Sequence, residues 1–292
     1  MSTKISIMGV LTETPLHAGT GQTLGSIDLP IQRERHTGVP IVPGSSVKGA
    51  LRALAARSMK DHAKLKLVYG PETDRADEHS GALAVTELRV VALPVRSLQE
   101  VFYWVTSPMC LTRLNRDRAL AGLGGLVPKL EVATGRALVA APLSNAGSLL
   151  LEDLDLQPDT KSDVQKAAEA IAKLCPVNSP AHQPTVARLK THLLVVSDED
   201  MRYFLENTTQ VAARVKLSKN KTSEGLWYEE SLPRDTFLSG LLVARNTSYD
   251  GLALTEADVL GEVAALFKDK PYLQIGGNET VGCGWCAVAF EG

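Results

Sequence analysis

The stretch PGSSVKGALR, residues 43–52, opens the clearest helix of this chain. We expect Ser45 or Ser46 to cap that helix, because a serine hydroxyl at this position accepts a hydrogen bond from a free amide of the first turn. Lys48 and Arg52 are four residues apart and therefore share one face. The apolar residues at helical spacing are Val47, Ala50, Leu51, Leu54 and Ala55. The sequence thus predicts a helix with a buried stripe and a basic face beside it.

The segment before this helix, residues 13–44, is polar and has an irregular pattern. Glycines and prolines interrupt it repeatedly, and its apolar residues show no helical period. Irregular segments of this length are uncommon inside compact domains, and those that occur often carry function. We therefore predict that residues 13–44 form a functional loop inserted into the fold.

Strands and helices alternate along the rest of the chain. Residues 4–12 are predicted as a strand, and residues 209–217 and 226–230 as two strands joined by a polar hairpin tip with Lys219 and Lys221. Further strands are predicted at 83–91, 101–106, 192–196, 236–244, 272–275 and 285–290. Helices are predicted at 108–120, 163–174 and 255–267, and a short one begins at 198. Residues 122–160 are predicted to form loops with short strands, and residues 176–184 a loop. Helices mixed with strands that adjoin in sequence indicate the α+β class.

The charge is distributed unevenly along a composition that is otherwise typical of a folded protein. Of the 292 residues, 44% are hydrophobic and 22% are charged, and the formal net charge is −2. Such a balance excludes a protein drawn onto nucleic acid or a membrane by its bulk charge. Residues 1–60 nevertheless hold seven basic and three acidic residues. This segregation suits a groove that follows phosphates, and it equally fits an ordinary solvated helix face and loop.

The sequence also limits the compartment and the metal chemistry. No run of 18 apolar residues occurs, so no transmembrane helix is expected. Four cysteines do not make a disulfide framework, which favours a reducing cytoplasm. Cys283 and Cys286 have the spacing of half a zinc site, but Cys110 and Cys175 supply no second pair, so free thiols are expected. The glycine-rich run 276–284 lacks the ending of a P-loop, and its glycines alone indicate a tight turn.

Two side chains in the irregular segment have chemistry that the fold alone does not require. Asp28 is a lone carboxylate in a stretch rich in glycine and proline, close in sequence to Arg33, Arg35 and His17. A loop aspartate is usually a turn residue, but beside a phosphate-binding surface it can position a metal or take a proton from a ribose hydroxyl. His17 is an alternative proton carrier, or a structural histidine.

Several segments together resemble a known family. The segments are residues 16–38, 43–52, 94–97, 105–108, 225–230 and 273–282. They occur in the order found in the RAMP family, in the backbone subunits of Cmr complexes, which are type III-B CRISPR effectors. The resemblance implies one domain over 1–292 with a modified RRM (ferredoxin-like) palm and large insertions. Residues 13–44 would then be the catalytic loop, and residues 209–230 a protruding β-hairpin thumb.

The resemblance also implies a function. Copies of the chain would bind a guide RNA as a helical filament and cleave complementary target RNA at regular intervals, together with other Cmr subunits and away from membranes. Asp28 would be catalytic, with Mg²⁺ or another divalent cation as its partner in cleavage and bound by its carboxylate, and His17, Glu229 and Glu230 would have supporting roles. The RNA-binding residues would be Arg33, Arg35, Lys48, Arg52, Lys219, Lys221, Gly276, Gly277 and Asn278.

Two alternatives stay open from the sequence. The chain could be a structural backbone that binds guide RNA without cleaving the target. It could also be a ribonuclease of the same superfamily that processes guide RNA, and that function would favour His17 as the general base.

Overall fold

The computed structural model describes residues 2–72, 79–125, 127–143 and 148–292. The strands are β1 Thr3–Thr12, β2 Ile41–Val42, β3 Leu83–Val85, β4 Leu88–Arg96, β5 Phe102–Thr106, β6 Arg136–Val139, β7 Leu149–Leu151, β8 Leu154–Thr160, β9 Leu193–Val196, β10 Gln210–Leu217, β11 Ser223–Ser231, β12 Phe237–Arg245, β13 Thr247–Tyr249, β14 Leu252–Leu254, β15 Tyr272–Gln274 and β16 Trp285–Glu291. The helices are α1 Gly44–Ser58, α2 His62–Tyr69, α3 Pro108–Leu120, α4 Asp163–Ala172, α5 Gln183–His192, α6 Asp198–Asn207 and α7 Glu256–Ala265. The predicted α+β class is confirmed.

A large mixed sheet organises these elements, with β1 in its interior. The strand order is β15-β16-β1-β12-β4-β5-β9-β6-β8-β7, and β1 is antiparallel to both β12 and β16. Side chains of β1 alternate between two cores, with Met8 and Val10 in one and Ile7 and Leu11 in the other. Helices α1 and α7 contribute to the first core, and α3 and α4 to the second. Both faces of the sheet are therefore covered, and the exposed functional groups lie at its margins and on the loops.

One close approach fixes a glycine in β1. A Cβ built on Gly9 would lie only 2.3 Å from Leu174 Cα, whereas one on Gly261 in α7 would meet no atom within 4 Å. We expect Gly9→Ala to lower the free energy of unfolding by about 2 kcal/mol, because backbone atoms must move. Gly261→Ala should raise it by about 0.5–1 kcal/mol, because alanine favours the helix. Urea unfolding of both variants measures these changes. Changes of the same sign in the free energy of unfolding would contradict the prediction.

The start of α1 differs from the prediction. Neither Ser45 nor Ser46 caps the helix; Pro43 is the N-cap residue, and no side chain caps the first turn. The Pro43 carbonyl accepts instead from the amides of Ser46 and Val47, at 3.0 and 3.2 Å. Gly44 fits there because a Cβ would lie 2.2 Å from the Val85 carbonyl oxygen. Tertiary packing against β3 thus places the N-cap residue of the helix two residues before Ser45 and three before Ser46.

Three further segments depart from the prediction. Helix α2 was not predicted, and α5 occupies part of the region predicted as a proline-rich loop, with Pro184 in its first turn, where proline is tolerated. The strand predicted over 83–91 is divided into β3 and β4, because the pairing with β12 shifts by one residue between Val85 opposite Leu242 and Arg89 opposite Ser239. The prediction of loops and short strands over 122–160 agrees with β6 to β8, apart from residues 126 and 144–147, which lie outside the described residues.

Strands β10 and β11 form a two-stranded sheet apart from the large one. Their register runs from Gln210 opposite Ser231 to Leu217 opposite Ser223, so the turn is shorter than the predicted tip. Lys219 and Lys221 are both exposed in this turn. In the ranges that the structure describes, no helix has the length and apolar character needed to cross a lipid bilayer.

Candidate nucleic-acid interface and active site

The irregular segment 13–44 is fastened to the base of the β10–β11 hairpin. Leu16 and Leu232 exchange backbone hydrogen bonds of 2.9 Å in both directions. Further along, the Leu29 amide donates to the Tyr228 carbonyl, and the Leu29 carbonyl accepts from the Glu230 amide, each at 3.0 Å. Both arms of the segment therefore lie beside β11, and the turn between them projects into solvent.

Asp28 is held by the backbone of β11. Its Oδ2 accepts a hydrogen bond of 2.7 Å from the Tyr228 amide, and the residue is half-buried. Among the described residues, Oδ1 has no hydrogen-bond donor. One carboxylate oxygen thus fixes the side chain, while the other is free to contact a ribose hydroxyl or a cation.

The orientation of His17 follows from one hydrogen bond. Its Nδ1 lies 2.6 Å from the carbonyl oxygen of Glu230, and because a carbonyl only accepts, Nδ1 carries a proton. The other nitrogen, Nε2, faces Gly19, where a Cβ would approach it to 2.5 Å. Neutral His17 can therefore accept a proton at Nε2 only.

Glu229 faces His17 from a buried position. The residue is 6% exposed, and its Oε1 lies 3.8 Å from His17 Nδ1. Its Oε2 accepts from Arg214 Nε at 3.2 Å, and the side-chain amide of Asn278 donates to Oε1. The Glu229 carboxylate therefore lies next to the His17 ring, on the side of Nδ1. Glu229 thus fits the supporting role predicted for it.

Glu230 points to the other side of β11 and serves the fold. Its Oε2 accepts from the Ile31 amide at 3.0 Å, and its Oε1 accepts from Arg33 Nη2 at 2.5 Å and from Thr209 Oγ1 at 2.8 Å. With three internal donors and 3% exposure, this carboxylate has no free oxygen for a substrate. The prediction that Glu230 supports catalysis is therefore corrected: it holds the irregular segment to the hairpin.

Arg33 is occupied in the same way. Beyond Glu230, its Nη1 donates to the carbonyls of Gly38 and Leu205, both at 2.9 Å. Three of the five N–H donors of Arg33 are therefore used inside the protein, which favours a structural role, and its contact with RNA stays a prediction. Arg35, two residues on, is exposed, and its contact with RNA stays a prediction.

The basic face of α1 does not oppose the irregular segment as expected. Arg52 Nη1 donates to the Gly70 carbonyl at 2.7 Å, and Nη2 lies 3.1 Å from Glu72 Oε1. Lys48 is half-buried, and burial, then repulsion by Arg52 and Arg245, lowers its pKa. Arg52 thus packs toward the end of α2, whereas a basic helix face opposite the irregular segment and near Asp28 was expected. The contact of Lys48 and Arg52 with RNA stays a prediction.

A groove with a cavity volume of about 490 Å³ lies where the basic face was expected. Its lining comes from the irregular segment, from α1 and from the segment around β15, and consists of His17, Ala18, Gly19, Gln32, Pro43, Ser46, Gly49, Ala50, Ala53, Gln274, Gly276 and Gly277. Small residues let a ribose–phosphate backbone come close, and the amide and hydroxyl groups can donate to phosphate oxygens. Three of these residues, Gln32, Ser46 and Gln274, were not predicted as site residues from the sequence. The run of small residues at helical spacing on α1 is the sequence feature that could have indicated this groove.

The glycine-rich run 276–284 closes this groove beside His17. The Gly277 amide donates to the His17 carbonyl at 2.9 Å. Gly276 has a φ of +83°, and a Cβ there would lie 2.4 Å from the same carbonyl oxygen. These glycines therefore allow the loop to lie directly against the backbone of His17, in agreement with a tight turn.

The cysteines behave as free thiols. All four are free and buried, and Cys286 Sγ donates to the Gly284 carbonyl at 3.4 Å. Burial, reinforced by the charge of Glu13, raises the pKa of Cys286, and for the same reasons the pKa of Cys175 is raised to about 12. Thiols of this kind are poor metal ligands and nucleophiles, because both roles need the thiolate.

Comparisons with known proteins agree with this geometry. The model of the RAMP superfamily matches residues 10–287. The CRISPR system Cmr endoribonuclease Cmr4 of Pyrococcus furiosus is 36% identical over 99% of this chain and 96% of that protein. The crystal structure of oligomeric Cmr4 from Pyrococcus furiosus superposes with a TM-score of 0.76 at 28% identity, covering 99% of this chain and 98% of the other.

A more distant structure shares the fold. The cryo-EM structure of the type III-B Cmr-beta complex bound to cognate target RNA contains a chain that matches with a TM-score of 0.73. Its identity is 19%, and the match covers 98% of this chain and 96% of the other. Architecture is therefore retained where most of the sequence has changed.

Proposed function

The chain belongs to the RAMP superfamily, and we propose that it is the RNA-guided endoribonuclease subunit of a type III-B Cmr complex. One observation carries the proposal. Three consecutive residues of β11 assemble the site: the Tyr228 amide holds Asp28, the Glu229 carboxylate faces His17, and the Glu230 carbonyl accepts from the His17 ring. This cluster lies beside a groove suited to a ribose–phosphate backbone.

The cleavage step uses a nucleophile that the RNA supplies. Asp28 orients a ribose 2′-hydroxyl and takes its proton, and the 2′-oxygen attacks the adjacent phosphorus. The bond from phosphorus to the 5′-oxygen breaks, and protonated His17 donates a proton to that oxygen from Nε2. The products are a 2′,3′-cyclic phosphate and a 5′-hydroxyl. Glu229 places a carboxylate 3.8 Å from His17 Nδ1, the ring nitrogen that does not take part in the proton transfer.

The described part of the chain forms no metal site from protein side chains alone. Among the described residues, no group of three or more His, Cys, Asp or Glu side chains could hold an ion. Asp28 offers one free carboxylate oxygen, which is too few ligands for a magnesium ion on its own. Because magnesium is usually bound by one or two carboxylates together with substrate phosphates, the divalent cation expected from the resemblance would be held by the free oxygen of Asp28 and by RNA phosphate oxygens, where it would stabilise negative charge on the phosphate.

Guide RNA lies along the groove, and the target strand paired with it crosses the base of the β10–β11 hairpin, where Asp28 and His17 contact its backbone. Further copies of the chain and other Cmr subunits complete the assembly, and the superposition on an oligomeric relative supports this part of the proposal. Assembly orders the RNA, so the isolated chain lacks the in-line geometry that cleavage needs. The free, buried cysteines suit a reducing cytoplasm.

The hairpin lysines test the contact with RNA. Substituting Lys219→Ala and Lys221→Ala together should weaken RNA binding and reduce the slope of log affinity against log salt by about 1.4, the value for two phosphate contacts on a single strand. Lys268→Ala with Lys270→Ala is the matched control, because these lysines have the same spacing and are also exposed. Fluorescence anisotropy over a salt series measures both slopes. An unchanged slope for the hairpin variant would remove its lysines from the interface.

The proposed activity itself is tested with two RNAs of equal length. The guide-loaded complex should cleave the RNA that is complementary to the guide and leave an unrelated RNA intact. Binding of the complementary RNA without cleavage would indicate the structural backbone function instead. Cleavage of precursor guide RNA by the chain alone, abolished by His17→Ala, would indicate the guide-processing function.

A further inference from the structure

The side chain of Asn278 has a role that the groove does not explain. Asn278 lies in the glycine-rich run with a left-handed backbone, at φ 64° and ψ 29°. Glycine adopts this conformation without a penalty. The other left-handed residues of the same run, at positions 276, 282 and 284, are all glycines. A residue with a side chain at this one left-handed position therefore calls for a contact that the side chain makes.

That contact is with Glu229. The Asn278 amide donates to Glu229 Oε1, the oxygen that also faces His17 Nδ1 at 3.8 Å. The charged and titratable groups around this carboxylate are Arg214 on Oε2 and His17 near Oε1. Because Glu229 is 6% exposed, water cannot readily replace the amide if the side chain is removed.

Neighbouring residues of the same loop hold both partners of the pair. Gly277 donates its amide to the carbonyl oxygen of His17 at 2.9 Å, and Asn278 donates its side-chain amide to Glu229. The loop thus fixes the backbone of His17 and the carboxylate that faces its ring. Gly276 and Gly277 of this loop also line the groove.

We propose that Asn278 is a positioning residue for RNA cleavage, which holds Glu229 against His17 and so makes the catalytic geometry depend on the glycine-rich loop. This inference rests on the proposed function. It also revises the role expected for Asn278, because its amide points inward to Glu229 and acts on the reaction rather than on RNA affinity. An RNA backbone seated on Gly276 and Gly277 would press on the loop that sets this pair.

The test uses Asn278→Gly in the assembled, guide-loaded complex. Glycine keeps the left-handed backbone, so the variant should fold, with a melting temperature lowered only by the loss of the hydrogen bond to Glu229. The single-turnover cleavage rate should fall by about tenfold, the order found when a partner of an active-site group is lost. Guide and target affinities should stay unchanged. Asp250→Gly is the matched control, since Asp250 is another left-handed residue, with a φ of 51°, in an exposed turn.

A double-mutant cycle separates positioning from a general structural effect. If Asn278 acts through Glu229, then Asn278→Gly should cost nothing further in a Glu229→Gln background. A second variant, Asn278→Asp, tolerates the backbone but sets a carboxylate against Glu229, and it should cleave more slowly than Asn278→Gly.

The outcomes distinguish this inference from the function on which it rests. A wild-type complex that does not cleave complementary RNA overturns both. If the wild type cleaves, then wild-type rates for Asn278→Gly and Asn278→Asp, independent effects in the double mutant, or a loss of guide affinity equal to the loss of rate each overturn the positioning role alone.

Discussion

An assembled complex that carries Asp28→Asn should bind its target with unchanged affinity and cleave it at least about a hundredfold more slowly, the order for losing a general base. Asparagine retains a side-chain oxygen to accept from the Tyr228 amide, so the irregular segment keeps its place. The substitution removes the negative charge and the basicity of the free carboxylate oxygen. Single-turnover cleavage of a labelled target measures the rate, and competition binding measures the affinity.

The control for this experiment is Asp250→Asn. Asp250 lies in an exposed turn between β13 and β14, and the same loss of charge there should leave the rate unchanged. A rate within about twofold of wild type for Asp28→Asn would refute Asp28 as the catalytic base, because loss of a general base costs far more than that.

The second large effect concerns stability. Glu230→Ala should lower the free energy of unfolding by about 3 kcal/mol, because it leaves Arg33 without its charge partner in a largely buried place. The Glu230 side chain is 4% exposed and that of Arg33 is 24% exposed. The Ile31 amide and Thr209 hydroxyl also lose their acceptor. Equilibrium urea unfolding of the isolated chain measures the change.

Glu206→Ala is the matched control. It breaks the Arg202–Glu206 pair, one helical turn apart in α6, whose side chains are 70% and 45% exposed. Such a pair contributes about 0.3–0.5 kcal/mol to the free energy of unfolding, so Glu206→Ala should have a far smaller effect than Glu230→Ala. Equal effects of the two variants would show that Glu230 does not hold the irregular segment in place.

Local sequence patterns predicted most of the helices and strands. Strand β1, the helix after Ser107 and the helix after Ser197 all follow from alternation or capping, and both serines do accept from the amide three residues on. The serines before α1 show the limit of the same reasoning, because contact with Val85 decides where that helix begins. Pairing of β1 with β12 and β16, far apart in sequence, has no local signal.

The site was predictable only in part, for similar reasons. The resemblance to the RAMP family predicted Asp28 and His17 as site residues. No feature of the local sequence predicts that Glu229 and Glu230 have different contacts. Alternation along β11 sends Glu229 to His17 and Glu230 to Arg33. Charge patterning favoured Arg33 and Arg52 as RNA contacts, but both guanidiniums donate to backbone carbonyls inside the protein. Long-range partners, absent from any local pattern, decide which charges are free.

The most direct test of the central claim mixes wild-type and Asp28→Asn chains in one guide-loaded complex and follows the products from labelled complementary RNA. If each copy cuts at its own position, a regularly spaced set of products should weaken in proportion to the variant fraction and vanish when every chain is Asp28→Asn. A product pattern that does not change with the mixing ratio would place the nuclease in another subunit and make this chain a structural backbone.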